Sequence, residues 1–215
     1  MSITSNLQSV LSSIPKDVTL VAVSKTKPTA TVLEAYEAGQ RIFGENKVQE
    51  MVQKAELLPK DIAWHMIGHL QSNKVKYIAP FVSLIHGVDS EKLFKEINKR
   101  AAQNNRVIDC LLQFHIAEES SKFGLNEEEA KKILEIQSSC SNVRIVGLMG
   151  MATFTSNKEQ IKKEFSSLNT IYKRLQKDYR QLKTLSMGMS GDYPIAIDEG
   201  SNMIRVGSAI FGARQ

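Results

Sequence analysis

The chain has 215 residues, of which 42% are hydrophobic and 24% charged, and a formal net charge of +5 at pH 7. That is a globular composition with enough chain for one sizeable core or two small ones. No apolar run is long enough to span a bilayer, and Lys and Arg are interleaved with Glu, as in "EKLFKEINKR", so the positive surplus reads as solubility and attraction for small anions, with no nucleic-acid motif.

The opening "MSITSNLQSVLSSIP" lacks the basic leader and apolar block of a secretory signal. Its spacing of Ile3, Leu7, Val10, Leu11 and Ile14 predicts an amphipathic helix. Short apolar runs then alternate with amphipathic ones. Strands are expected at 18–25, 41–46, 62–69, 84–89, 107–116, 143–151, 182–189 and 203–211. Between them, Ser90 caps a helical segment carrying Leu93, Phe94, Ile97 and Ala101. Asn126 opens "NEEEAKKILEIQ", with acids in the first turn and Glu129 at the capping-box position. In 158–179 the apolar positions Ile161, Phe165, Leu168, Tyr172 and Leu175 recur every three or four residues. Cys110 and Cys140 lack metal-type spacing and read as free thiols of a reducing compartment, which suggests the cytosol.

Strand–helix repeated eight times predicts an α/β protein: a single (β/α)8 TIM-type barrel over 1–215 with an extra N-terminal helix. The strands are apolar on both faces, as parallel strands covered by helices should be, and no Pro/Gly/Ser-rich linker divides the chain. A doubly wound open sheet is the alternative.

Active sites of such barrels lie at the C-terminal ends of the strands. Here those ends carry Lys25, "FGEN", "GHLQSNK", "HGVDS", His115, "GLMGMATF", "SMGMSGD" and "RVGSAIFG". Alternation places Val21, Val23 and Lys25 on one face, so that Lys25 stands over an apolar floor at the barrel mouth. Desolvation, with like charge on Lys27, is expected to lower its pKa and favour a Schiff base with a carbonyl. A strand-end lysine reaching to solvent is the bland alternative.

The loops after strands seven and eight are the usual phosphate site of this fold. They offer the Ser190 hydroxyl, amides near Gly191, a short helix opened by Asp192-Tyr193-Pro194, and the amides of Gly207 and Ser208. Each glycine-rich loop alone is an ordinary turn. Together with the amine on strand one they fit a phosphate-bearing aldehyde, pyridoxal 5′-phosphate. Arg205 shares the face of Gly207 and is expected either at the pyridine nitrogen, which it would keep unprotonated, or in a salt bridge inside the barrel. His65 and His69 are roughly 13 Å apart on a strand and cannot share a metal ion there. His69 reads as a polar rim group or a satisfied core histidine. Met149, Met151, Met187 and Met189 read as barrel packing more than as ligand contacts, although Met187 is placed with the cofactor-binding residues.

The blocks "VAVSKTKP", "FGENKVQE", "WHMIGHLQSNK", "SKFGL", "GLMGMATF" and "LSMGMSGDYPIAIDEGSNMIRVGSAIFGAR" resemble the pyridoxal phosphate homeostasis proteins, single-domain relatives of the N-terminal barrel of alanine racemase. The resemblance implies pyridoxal phosphate held on Lys25, its phosphate by Ser190, Gly207 and Ser208, and Arg205 facing the pyridine nitrogen. It puts Asn46 and His69 in cofactor-pocket motifs and Lys122 of "SKFG" near the mouth. It implies vitamin B6 buffering and delivery, to pyridoxal-phosphate-dependent apoenzymes, without robust catalysis. An amino-acid racemase or decarboxylase is the alternative. The related racemases carry an additional β-domain, whereas this chain ends at Gln215 soon after strand eight, and no Tyr or Cys sits in a motif suited to a second base. A monomer or weak dimer is expected.

Overall fold

The structure is a computed structural model describing residues 2–118 and 123–212. Eight strands among the described residues run Thr19–Val23 (β1), Ile42–Glu45 (β2), Ala63–Met66 (β3), Leu84–Val88 (β4), Ile108–Phe114 (β5), Val143–Gly150 (β6), Thr184–Met189 (β7) and Met203–Val206 (β8). Each pairs in parallel with the next in chain order, and β8 closes on β1 through Leu20 opposite Ile204 and Val21 opposite Arg205. Helices lie between the strands: Thr29–Glu37 (α2), Val48–Leu57 (α3), Val75–Ile78 (α4), Glu91–Gln103 (α5), Glu127–Ile136 (α6), Lys158–Asp178 (α7) and Tyr193–Asp198 (α8). Ile3–Ser13 (α1) precedes the barrel and Ser208–Phe211 (α9) follows β8. The (β/α)8 barrel with its leading helix is therefore present, and the open sheet is not.

Local chemistry starts the helices where the sequence places them. Ser90 accepts from Leu93 N at 3.3 Å, and Asn126 and Glu129 form a reciprocal capping box. The apolar stripe of α7 buries Ile161, Phe165, Leu168, Tyr172 and Leu175 against the sheet. In α1, Leu7 and Val10 are buried but Leu11 is exposed, because the helix meets the body only along one narrow face.

Alternation along the strands divides the core. Leu20, Ala22, Phe43, Trp64, Leu112 and Ile204 point outward and are buried under the helices. Val21, Leu84, Leu111, Met149 and Met203 point inward and pack together inside the barrel. Burying each of the Val, Leu, Ile, Phe and Met side chains contributes about 1.5–3 kcal/mol, and both faces of the sheet are used.

Several strands are shorter than expected. β1 ends at Val23, and Ser24 to Lys27 form a turn closed by Lys27 N donating to Ser24 O at 3.1 Å. β3 ends at Met66 rather than at residue 69. The run expected as one strand over 203–211 stops at Val206. Beyond Gly207 it is the helix α9, whose Ile210 and Phe211 are buried, with Asn6 Nδ2 donating to Ile210 O at 3.0 Å.

The β6–β7 junction depends on one missing side chain. A Cβ on Gly147 would sit 1.8 Å from Thr184 O. Gly147→Ala is therefore expected to cost about 1–3 kcal/mol or more through forced separation of the strands. Urea unfolding measures it, and a loss under about 0.5 kcal/mol would show that the pairing yields without strain.

Candidate functional site

The C-terminal strand ends surround a cavity of about 440 Å³, within the size range of small-molecule pockets. Lys25, Lys27, Asn46, Ser190, Arg205, Gly207 and Ser208 all line it. Val23, Ile67 and Met151 supply apolar wall. Residues from β1, β2, β7 and β8 that lie far apart in sequence thus meet in one place.

Lys25 sits one residue beyond Ser24, and both flanks of the lysine are tied to α3. Ser24 Oγ donates to Glu45 Oε1 at 2.6 Å. Lys54 Nζ donates to the same Oε1 at 2.8 Å, to Ser24 O at 2.7 Å and to Glu50 Oε1 at 2.8 Å. Glu50 Oε1 also accepts from Thr26 N at 2.6 Å, which holds Thr26 in a left-handed conformation at φ 64°. A threonine adopts that backbone at a cost, so the bond to Glu50 is what fixes the turn. Glu45 is fully buried, and its Oε2 has no hydrogen-bond partner among the described residues. Burial pushes the Glu45 carboxyl above its usual range, against the lowering effect of Lys54 and Ser24.

The other side of the cavity is built from amides. Ser190 Oγ accepts from Gly207 N at 3.1 Å and Ala209 N at 3.4 Å, joining the loops after β7 and β8. Asp192 Oδ1 accepts from Met189 N at 2.5 Å, which sets the turn into α8 with Pro194 in its first turn. A Cβ at Gly207 would stand 3.2 Å from Val23 O, so glycine lets the end of β8 lie against β1. Arg205 is 4% exposed, and burial draws its pKa down to about 10, leaving it a cation at pH 7. On the rim, Thr153 N and Oγ1 donate to Glu164 at 2.6 and 2.7 Å, anchoring the loop that carries the 96% exposed Phe154. The Ser190 hydroxyl and the Arg205 cation on this wall suit an anionic group beside an amine.

Two of the expected pocket residues lie elsewhere. His69 is on the neighbouring rim, where its Nδ1 is 3.0 Å from Asp89 Oδ2 and its ring stacks on Phe123 at 4.2 Å. Because β3 stops at Met66, strand parity no longer applies at residue 69, and Ile67 faces the cavity instead. Met187 is fully buried in the layer between barrel and helices, since Ser186 before it points inward. Met149 packs inside the barrel, whereas Met151 and Met189 do line the cavity. His65 points into the barrel and His69 out at the rim, so they do not converge on one point. Lys122 lies outside the described residues.

The sequence reading missed the Lys54 clamp and a polar layer formed by His65, His86 and Ser186 beneath Arg205. Lys54 did carry a signal: it falls six residues after Val48 and three after Met51, on the buried face of α3.

Lys54→Met is expected to leave Glu45 buried without its cation and to cost about 3–5 kcal/mol near neutral pH. A carboxyl whose folded pKa is raised stabilises the fold fully below its unfolded pKa and loses that contribution as pH rises through the folded value. The variant raises Glu45 further, so its deficit should shrink in acid and grow above the ordinary carboxylate range. Urea unfolding at several pH values checks this, and a deficit independent of pH would contradict it.

Comparison with known proteins agrees with this geometry. The family described as "Alanine racemase, N-terminal domain" matches residues 1–215. The pyridoxal phosphate homeostasis protein of Aquifex aeolicus is 40% identical over 198 residues, 91% of this chain and 87% of that one. The solved structure of PipY from Synechococcus elongatus with PLP bound superposes with a TM-score of 0.91 at 38% identity, covering 98% of this chain and 100% of that one. Alanine racemase from E. faecalis, at 16% identity and a TM-score of 0.73 over 99% of this chain and 58% of that one, shares the fold. The chain belongs to the alanine racemase N-terminal domain family and, within it, to the pyridoxal phosphate homeostasis proteins.

Proposed function

We propose that the chain binds pyridoxal 5′-phosphate in this cavity and serves vitamin B6 homeostasis, holding the cofactor on Lys25 and delivering it to pyridoxal-phosphate-dependent apoenzymes of the cytosol. The observation that carries the reading is the meeting of Lys25, Arg205, Ser190, Gly207 and Ser208 on one cavity, with Ser190 joining the loops after β7 and β8. The PLP-bound PipY structure and the naming of the Aquifex aeolicus relative support it.

When bound, the cofactor would supply an aldehyde open to a lysine amine. Lys25 would be that amine, held by a turn fixed on both sides. The Ser190 hydroxyl and the Gly207 and Ser208 amides would hold the phosphate, and Asn46 would border the ring. Arg205 would meet the pyridine nitrogen; a guanidinium only donates, so it would leave that nitrogen unprotonated and the ring a weaker electron sink.

Carriage without robust turnover fits the same wall. The cavity opens at the barrel mouth, where water screens developing charge. Buried, unbridged Cys110 and Cys140 suit a reducing compartment.

Borohydride reduction of the cofactor-loaded protein should fix the cofactor to Lys25 by peptide mass, and Lys25→Ala should abolish the adduct. A protein that gains no visible absorption band with added pyridoxal phosphate rejects the reading. In deuterated water, the loaded protein should exchange amino-acid α-protons far below about 1 s⁻¹, and turnover at or above that rate would make it an enzyme.

A further inference from the structure

Below Arg205 the barrel interior holds a row of polar side chains from β3, β4, β7 and β8. Arg205 Nη1 donates to Ser186 Oγ at 2.5 Å and to Ser186 O at 3.0 Å, and Nη2 donates to Gly150 O at 3.1 Å. Ser186 Oγ lies 3.3 Å from His86 Nδ1, and His86 Nε2 lies 3.0 Å from His65 Nδ1. His86 and Ser186 are fully buried, and His65 is 5% exposed.

The chemistry gives this row a direction. A guanidinium cannot accept, so Ser186 Oγ accepts from Arg205. The hydroxyl proton then needs its own acceptor, and His86 Nδ1 is the one within reach. With Nδ1 accepting, a neutral His86 carries its proton on Nε2 and donates to His65 Nδ1. His65 is thereby also the Nε2–H tautomer. The opposite order would strand the Ser186 hydroxyl proton in a buried site, which native interiors avoid. Burial holds His65 at a pKa of about 3, and burial, then His65 and Arg205, push His86 well below its ordinary value. Both rings are neutral, and Arg205 carries the positive charge of the row.

We infer that Ser186, His86 and His65 form a one-way hydrogen-bond chain that positions Arg205 and so fixes the donor geometry presented to a ring nitrogen in the cavity. They are positioning residues: none of the three lines the cavity, whereas Arg205 does. The bonds to Ser186 and Gly150 engage three of the guanidinium N–H groups. The remaining donors stay available to a ligand at a preset angle. The chain's direction stands on the protein alone. Its effect on a ring nitrogen rests on the proposed binding of pyridoxal phosphate.

Two measurements test it. In ligand-free protein with 15N-labelled histidine at neutral pH, both rings should be neutral with the proton on Nε2. A protonated ring, or the Nδ1–H tautomer at either position, overturns the chain. In protein loaded with pyridoxal phosphate labelled with 15N in its ring, Ser186→Ala and His86→Phe should shift the ring-nitrogen resonance and weaken binding about tenfold, while borohydride still fixes the cofactor at Lys25. His86→Gln offers an amide oxygen to Ser186 and an N–H to His65, and should restore the resonance towards wild type. Thermal unfolding identifies any variant that fails to fold, and Ser186→Ala is the milder of the two. Wild-type resonance and affinity in folded Ser186→Ala and His86→Phe overturn the positioning role. If the wild type traps no adduct at Lys25, the cofactor reading falls, and the tautomers still decide the chain.

Discussion

Arg205 carries a full charge inside a parallel barrel whose strands are buried on both faces, and the interior is arranged around satisfying it. A buried guanidinium is tolerated only where its donors meet acceptors, because an unpaired charge in such a medium costs several kcal/mol. Its bonds reach Gly150 on β6 and Ser186 on β7, so strands on the same side of the barrel answer for one side chain. The apolar plug of Val21, Leu84, Leu111, Met149 and Met203 lies within the same interior. The polar row and the cavity are what remains of the barrel's inside.

The amine is positioned by a second, separate polar group outside the barrel. Glu45 and Ser24 point away from the barrel interior, and Lys54 reaches in from α3 to join them. The turn bearing Lys25 is thus fastened from behind, leaving the lysine on the cavity wall. A lysine on an unfastened loop would spend rotamer and backbone freedom on every encounter with a ligand. The cavity therefore combines an amine on a fixed turn, a guanidinium on a fixed rotamer and amides on two joined loops. Such preorganisation suits retention of one small anionic aldehyde.

Much of this was legible in particular residues. "TLVAVSK" alternates with period two, which put Lys25 on the face of Val21 and Val23 before any fold was known. "SMGMSGD" and "RVGSAIFG" marked two glycine-bearing strand ends, and Ser190 and Gly207 do meet there. Two placements were not legible. His69 stands on the rim outside the cavity lining because β3 stops at Met66, and Met187 lies between barrel and helices. Where a strand stops, and which parity faces in, depend on bulges such as the one between Ser186 and Met189 of β7.

By itself, then, the chain's order of apolar and polar residues determined the repeating strand–helix unit, the buried faces and the chemical types available at the strand ends. These follow from local periodicity and from transfer of side chains out of water, both of which a linear string records. Only closure of the barrel decided that His65 meets His86 across 21 residues, and His86 meets Ser186 across 100. Hydrogen bonds require ångström-scale registration between distant strands, and that registration is a property of the packed whole.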